Sequence, residues 1–129
     1  MKKWKLILLF FVLGIPAFSQ FNLSAYDFYT MMDTCDNLVL LDIRLENSYN
    51  KERIPGAIYA GEKKVLFSLI DSLDKNIPLL LYCDYGKRSK TVVNILQSKG
   101  FKNIYHLKRG FDLWKKENYP VDRSPIHKK

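Results

Sequence analysis

Two short runs of aliphatic side chains, Leu38-Val39-Leu40-Leu41-Asp42-Ile43 and Ile77 to Tyr82, constrain this chain more than any other feature. Each is nearly continuous rather than alternating, so both faces need cover from water, which over so few residues implies a strand inside a covered sheet. The intervening stretches carry a different period. From Glu62 to about Leu73 the apolar residues Val65, Leu66, Leu69, Ile70 and Leu73 recur at three and four, which predicts a helix. Val92, Val93, Ile95 and Leu96 predict another that opens at Ser89 and stops at Gly100. Ser24 with Asp27 predicts a capped helix ending near Asp33, Asn103 to Leu107 a further strand, and Phe111 to Lys116 a last helical turn or two. Ile54-Pro55-Gly56-Ala57 sets Pro and Gly in the order a type II turn prefers, with a short strand over Ala57 to Ala60. Strands alternating with helices pair in parallel, because each crossover must return over the sheet. The expected architecture is α/β, a central parallel sheet of four to five strands with helices on both faces.

The 129 residues suffice for one domain, and 47% hydrophobic with 26% charged side chains is the balance of a folded globular chain. With a core of that size and only Cys35 and Cys83 present, a disulfide scaffold is excluded. Residues 1–19 stand apart from the expected domain, residues 20–129 with a core at about 24–122. Lys2, Lys3 and Lys5 make a basic start, Leu6 to Ile15 is almost unbroken hydrocarbon, and Ala17-Phe18-Ser19 places small residues two apart, as a secretory cleavage site requires. A signal peptide cut after Ser19 is expected, and with it a periplasmic or secreted location. The rival reading is a membrane anchor, but spanning the hydrocarbon takes about 20 apolar residues and Pro16 interrupts this run well short of that. No stable membrane insertion is expected after cleavage. Loss of the three leader lysines lowers the formal charge of +8 to a mildly basic value, and the remaining Lys and Arg lie singly or in pairs without a run of five. No nucleic-acid partner is expected.

In sheets of this kind the ligand site lies beyond the carboxyl ends of the strands, where loops lead into helices. Cys83-Asp84-Tyr85-Gly86-Lys87-Arg88-Ser89 occupies that place. The thiolate is the reactive form of cysteine, and a thiol pKa ordinarily about 8.5 falls to between about 3.5 and 7.5 near a helix N-terminus and cationic side chains. Gly86 permits a tight turn that points successive backbone N–H groups inward, forming a nest for an anion. Arg88 can fork onto oxyanions or brace the loop, Lys87 can favour a small anionic substrate, and Ser89 is suited to cap the helix. A lone cysteine at a strand end is more often a small buried residue. The company of Gly86, Lys87 and Arg88 between a strand and a helix argues instead for a cradle built around Cys83.

Taken together these segments resemble the rhodanese-like family. Asp42-Ile43-Arg44, Tyr49 and Ile54-Pro55-Gly56-Ala57 look like its DxR and GHIPGA signature, and Cys83 to Ser89 fits its CxxGxRS active-site loop. Leu107 to Trp114, then Tyr119-Pro120-Val121, is similar to its closing LxGGxxxW and GYP elements. The resemblance covers about Ser24 to Asp122, three motifs in the right order and spacing. It departs at Glu52 and Arg53, where the family has Gly and His, and at Arg109, the first position of the Gly pair, which bears on turn geometry and the pocket rim.

The resemblance implies a sulfurtransferase with a three-layer fold. Cys83 would take the outer sulfur of a small anionic donor such as thiosulfate, release sulfite, and pass the sulfur from a persulfide to cyanide or a thiol acceptor. The loop amides from Asp84 to Ser89 would stabilise the anions, with Arg88 and Lys87 orienting the donor. No metal and no organic cofactor is implied, and a monomer is expected. Four residues separate Cys83 from Arg88, as in sulfur-handling members, whereas related phosphatases and arsenate reductases have five and a wider cradle. The alternative is a non-catalytic sulfur-carrier or protein-binding module, though such members often lack the cysteine.

Asp42 and Arg44, at a strand end, read as an ion pair supporting the loop rather than as catalysts. His106 and His127 have no metal-ligand company and read as ordinary residues. Cys35 is a candidate to pair with Cys83 or resolve its persulfide in an oxidising compartment. Trp114 and the many Tyr and Phe read as core.

Overall fold

The computed structural model describes residues 22–127, so the expected leader lies outside the described residues. In chain order the elements are β1 (Asn22–Leu23), α1 (Ala25–Thr34), β2 (Val39–Asp42), α2 (Glu46–Lys51), β3 (Ile58–Tyr59), α3 (Lys63–Ile70), β4 (Leu79–Tyr82), α4 (Lys87–Ser98), β5 (Ile104–Leu107) and α5 (Gly110–Lys116). The five strands form one sheet in the order β1-β5-β4-β2-β3, and every pairing is parallel. Among the described residues no helix is long and apolar enough to cross a membrane.

The continuous apolar runs are explained by layers on both faces. Leu79, Leu81 and Cys83 project into one core with Leu66 and Ile70 of α3 and Val92, Val93 and Leu96 of α4. Leu80 and Tyr82 project into the other with Ala25 and Phe28 of α1 and Phe111 and Trp114 of α5. Trp114 is fully buried, meets Phe28 edge-on at 6.0 Å between ring centroids, and donates its indole N–H to Pro120 O.

The predicted elements are present with three differences. β1 has two residues, too few to show a period, and α2 is a polar six-residue helix without an apolar stripe or a side-chain cap. α4 opens at Lys87 rather than at Ser89, and Ser89 does not cap it; Gly86, at φ +93°, is the N-cap and Ser89 the third helical residue. The reason is local: the Ser89 N–H is satisfied by the Cys83 sulfur rather than by a side-chain oxygen. The Ile54–Ala57 turn forms as predicted, with Gly56 at φ +87° and the Ala57 N–H donating to Ile54 O.

Glu52 and Arg53 tie this turn to the C-terminal segment. The Arg53 guanidinium, buried, donates to Tyr49 O, Asn50 O and Ser124 O and pairs with Asp122 at 3.0 Å. Glu52 accepts from Lys115 and Arg123 at 2.6 and 3.0 Å, and the hydrogen bond from Lys115 is the main reason its carboxyl is held below the ordinary value. A carboxyl depressed in the folded state contributes stability above its unfolded pKa, and that contribution is lost as pH falls through the folded value. The midpoint of urea unfolding is therefore expected to fall on acidification through the carboxylate range by a larger step in the wild type than in Glu52→Gln.

Candidate active site

The chain runs from β2 outward to β3, then returns to the other side of β2 for β4. Connections leaving the carboxyl ends of the neighbours β2 and β4 therefore diverge, which opens a crevice there. Asp42-Ile43-Arg44 and Cys83 stand on its two sides.

Cys83 follows directly on the fully buried β4 and is itself 3% exposed. The amides of Gly86 and Ser89 both donate to Sγ at 3.2 Å, and Ser89 Oγ lies 3.4 Å away. The predicted inward nest exists, and two N–H groups make it. It depends on Gly86, because a Cβ there would fall 2.0 Å from Lys108 O of the adjoining strand end, in a left-handed conformation that other residues rarely adopt. Gly110 packs the loop from below: the amides of Phe111 and Asp112, in the first turn of α5, donate to Cys83 O and Asp84 O at 2.8 and 3.0 Å. Arg109, its neighbour, takes an ordinary φ of −104° as the N-cap of α5, so the chain needs no glycine there.

Cys83 opens onto a cavity of about 180 Å³ lined by Arg44, Cys83, Asp84, Tyr85, Lys87 and Arg88, three cations against one carboxylate. Asp84, Tyr85, Lys87 and Arg88 are exposed around its mouth, and Arg109 is not among the lining residues. Arg88 reaches across to donate to Gly61 O at 3.0 Å, so here it braces the rim rather than touching sulfur. A second cavity of about 220 Å³, on the other side of Asp84 and Tyr85, does not include Cys83.

The Asp42–Arg44 pair is a buried clamp. Arg44 Nε and Nη2 donate to the Asp42 carboxylate at 3.0 and 2.7 Å, its backbone N–H adds a third bond at 2.9 Å, and Nη2 also reaches Glu52 O. The guanidinium lies 4.3 Å from the Phe111 ring centre. Burial works against its charge, and Asp42 more than offsets that, leaving Arg44 above the ordinary arginine value. Tyr82, whose hydroxyl donates to Asp42 Oδ2 at 2.6 Å, is pushed up first by burial and then by the Asp42 charge. Removing the carboxylate would strand a buried cation. Asp42→Ala is expected to lose about 3–5 kcal/mol of stability in chemical denaturation, as single-partner deletions of buried pairs do.

Cys35 sits at the C-terminus of α1, four residues before β2, hence at the amino ends of the strands. Cys83 lies beyond their carboxyl ends, about 13 Å away along a four-residue strand, too far for a bridge, and both cysteines are free. Among the described residues no cluster of metal-ligating side chains occurs. His106, an ordinary residue by its sequence, is buried on β5, with Nδ1 3.0 Å from Ser89 Oγ. Seventeen residues separate the two, so no local pattern could have joined them.

Comparison with known proteins places this geometry. The family model described as Rhodanese-like domain matches residues 24–117. The chain is 37% identical over 88 residues to the thiosulfate sulfurtransferase GlpE of Coxiella burnetii, covering 68% of this chain and 81% of that one. It is 32% identical over 89 residues to the GlpE of Pseudomonas entomophila, covering 69% and 80%. The solution structure of the rhodanese-like domain of Alr3790 from Anabaena sp. superposes with a TM-score of 0.71 at 23% identity, over 84% of this chain and 87% of that one. With the matched region spanning strands β2 to β5, the crevice and the cysteine loop alike, the chain belongs to the rhodanese-like family.

Proposed function

We propose that this protein is a rhodanese-type sulfurtransferase, moving a sulfane sulfur from thiosulfate or a similar anionic donor to cyanide or a thiol through a persulfide on Cys83. The observation that carries this reading is the Cys83 sulfur lining a cavity with Lys87 and Arg88 at its mouth, held by two inward amides. The names of the similar GlpE proteins, thiosulfate sulfurtransferases, support it.

In the first half-reaction the Cys83 sulfur attacks the outer sulfur of thiosulfate, the S–S bond of the donor breaks, and sulfite leaves with its electron pair. The persulfide anion remains on Cys83. Gly86 and Ser89 amides, already aimed inward, stabilise the negative sulfur without reorganising. Lys87 and Arg88, at the cavity wall, balance the two charges of the donor, while Asp42 and Arg44 hold the crevice open from below. In the second half-reaction cyanide or a thiolate takes the outer sulfur and Cys83 returns to its resting form. Sulfite leaves before the acceptor reacts, so initial rates at varied thiosulfate and cyanide should give parallel double-reciprocal lines. Intersecting lines would contradict the covalent route, and binding of thiosulfate with no turnover would favour a sulfur-carrying module.

The basic, apolar and small-residue segments of the first 19 residues support export of this activity, where thiosulfate, sulfite and polysulfide are suitable partners. N-terminal sequencing of the protein recovered from its native host tests this: a start at Gln20 is expected, and an intact Met1 would contradict it.

A further inference from the structure

The Cys83 cradle continues inward through two buried polar side chains, Ser89 and His106, that the sulfur-transfer mechanism does not use. Ser89 Oγ lies 3.4 Å from Cys83 Sγ, and His106 Nδ1 lies 3.0 Å from Ser89 Oγ. His106 Nε2 meets Asn22 Oδ1 on β1. Ser89 is fully buried and His106 is 3% exposed, so the chain crosses the interior before it ends at the exposed Asn22. A carbonyl oxygen accepts and cannot donate, so Asn22 fixes the ring proton on Nε2 and leaves the Nδ1 lone pair for Ser89. The hydroxyl proton then points to Nδ1, in preference to the more distant Gly86 O at 3.3 Å, and its oxygen lone pair faces the thiol.

We propose that His106 is a positioning residue that receives the Cys83 thiol proton through the Ser89 hydroxyl as the sulfur attacks its substrate. Two protons each move along one hydrogen bond: S–H to Ser89 Oγ, and Ser89 O–H to His106 Nδ1. The electron pair left on Sγ forms the new bond, and the imidazolium keeps its Nε2–H on Asn22. With thiosulfate the charge balances, since the persulfide, sulfite and imidazolium together carry the charge of the donor. Burial, and then the positive charge of Lys90 on α4, hold His106 below the ordinary imidazole value, so near neutral pH the ring is the free base this step requires. The groups facing it are Ser89 and Lys90 from α4, Asn22 from β1 and Cys83 from the end of β4. The step with thiosulfate rests on the sulfurtransferase reading; the proton path itself does not.

The test uses a reagent unrelated to sulfur transfer. In a Cys35→Ser background, alkylation of Cys83 by iodoacetamide is followed by mass across pH for the wild-type loop, Ser89→Ala, His106→Gln and the double variant. Gln can keep hydrogen bonds in that space but is no base. At near-neutral pH each single variant is expected to react about tenfold more slowly, a modest share of what general bases contribute. The double variant should be no slower than either single one, because one path is cut twice. All four should converge at alkaline pH, where solvent removes the proton. Superimposed pH profiles, or losses that multiply in the double variant, would overturn the proposal. Should His106→Gln not fold, Ser89→Ala decides with solvent deuterium: the wild-type loop is expected to slow in D2O near neutral pH and Ser89→Ala to slow less, and equal effects overturn it. If these alkylation results hold while thiosulfate leaves no sulfur on Cys83, the sulfur-transfer reading fails and the proton path stands. Sulfur loading with indifferent alkylation has the reverse meaning.

Discussion

Cys83→Ser is expected to reduce sulfur transfer from thiosulfate to cyanide to the rate without protein, with the fold intact. The serine hydroxyl fits the cradle formed by the Gly86 and Ser89 amides, but its oxygen does not form the persulfide on which both proposed half-reactions depend. Cys35→Ser, at the opposite end of the sheet, is expected to retain wild-type kinetics. An initial-rate assay on both variants, with circular dichroism to verify folding, checks the pair. Residual turnover in Cys83→Ser above the blank, or loss of turnover in Cys35→Ser, would move the chemistry away from β4.

Gly86→Ala should have the second largest effect, and it acts on the backbone alone. The added methyl would have to share space with Lys108 O, 2.0 Å away, at φ +93°. The loop can relieve this by swinging away from β5, which withdraws the Gly86 N–H from Sγ and shifts the first turn of α4 that carries the Ser89 N–H. Losing a preorganised anion donor costs about 10² to 10³ in rate, and that is the fall expected in kcat/KM. The two cores lie on either side of β4 rather than in this loop, so far-ultraviolet circular dichroism should be preserved. A variant of wild-type activity would mean that the amide cradle contributes nothing to the reaction.

The parts of this molecule legible in the sequence are those whose cause is local. Leu38–Ile43 and Ile77–Tyr82 declared covered strands because every position needed burial, and α3 and α4 followed from apolar spacing. The cysteine loop was legible because turn, cations and helix start fall within seven consecutive residues. Long-range consequences of the fold were hidden. Ser89 reads as a cap because serine commonly is one, but Gly86 takes the N-cap position and the Ser89 N–H is satisfied by the sulfur six residues earlier. Arg53, a departure from the family pattern, becomes a clamp through a carbonyl 71 residues away. His106 gains its meaning from Asn22, 84 residues off, and from a strand too short to show a pattern.

The most direct measurement is the mass of the peptide bearing residue 83 after the folded protein is mixed with one equivalent of thiosulfate and separated without reductant. Addition of one sulfur atom to that peptide, with sulfite released in equal amount and the sulfur removed by cyanide, is the outcome this account predicts. An unmodified peptide and no sulfite would contradict it.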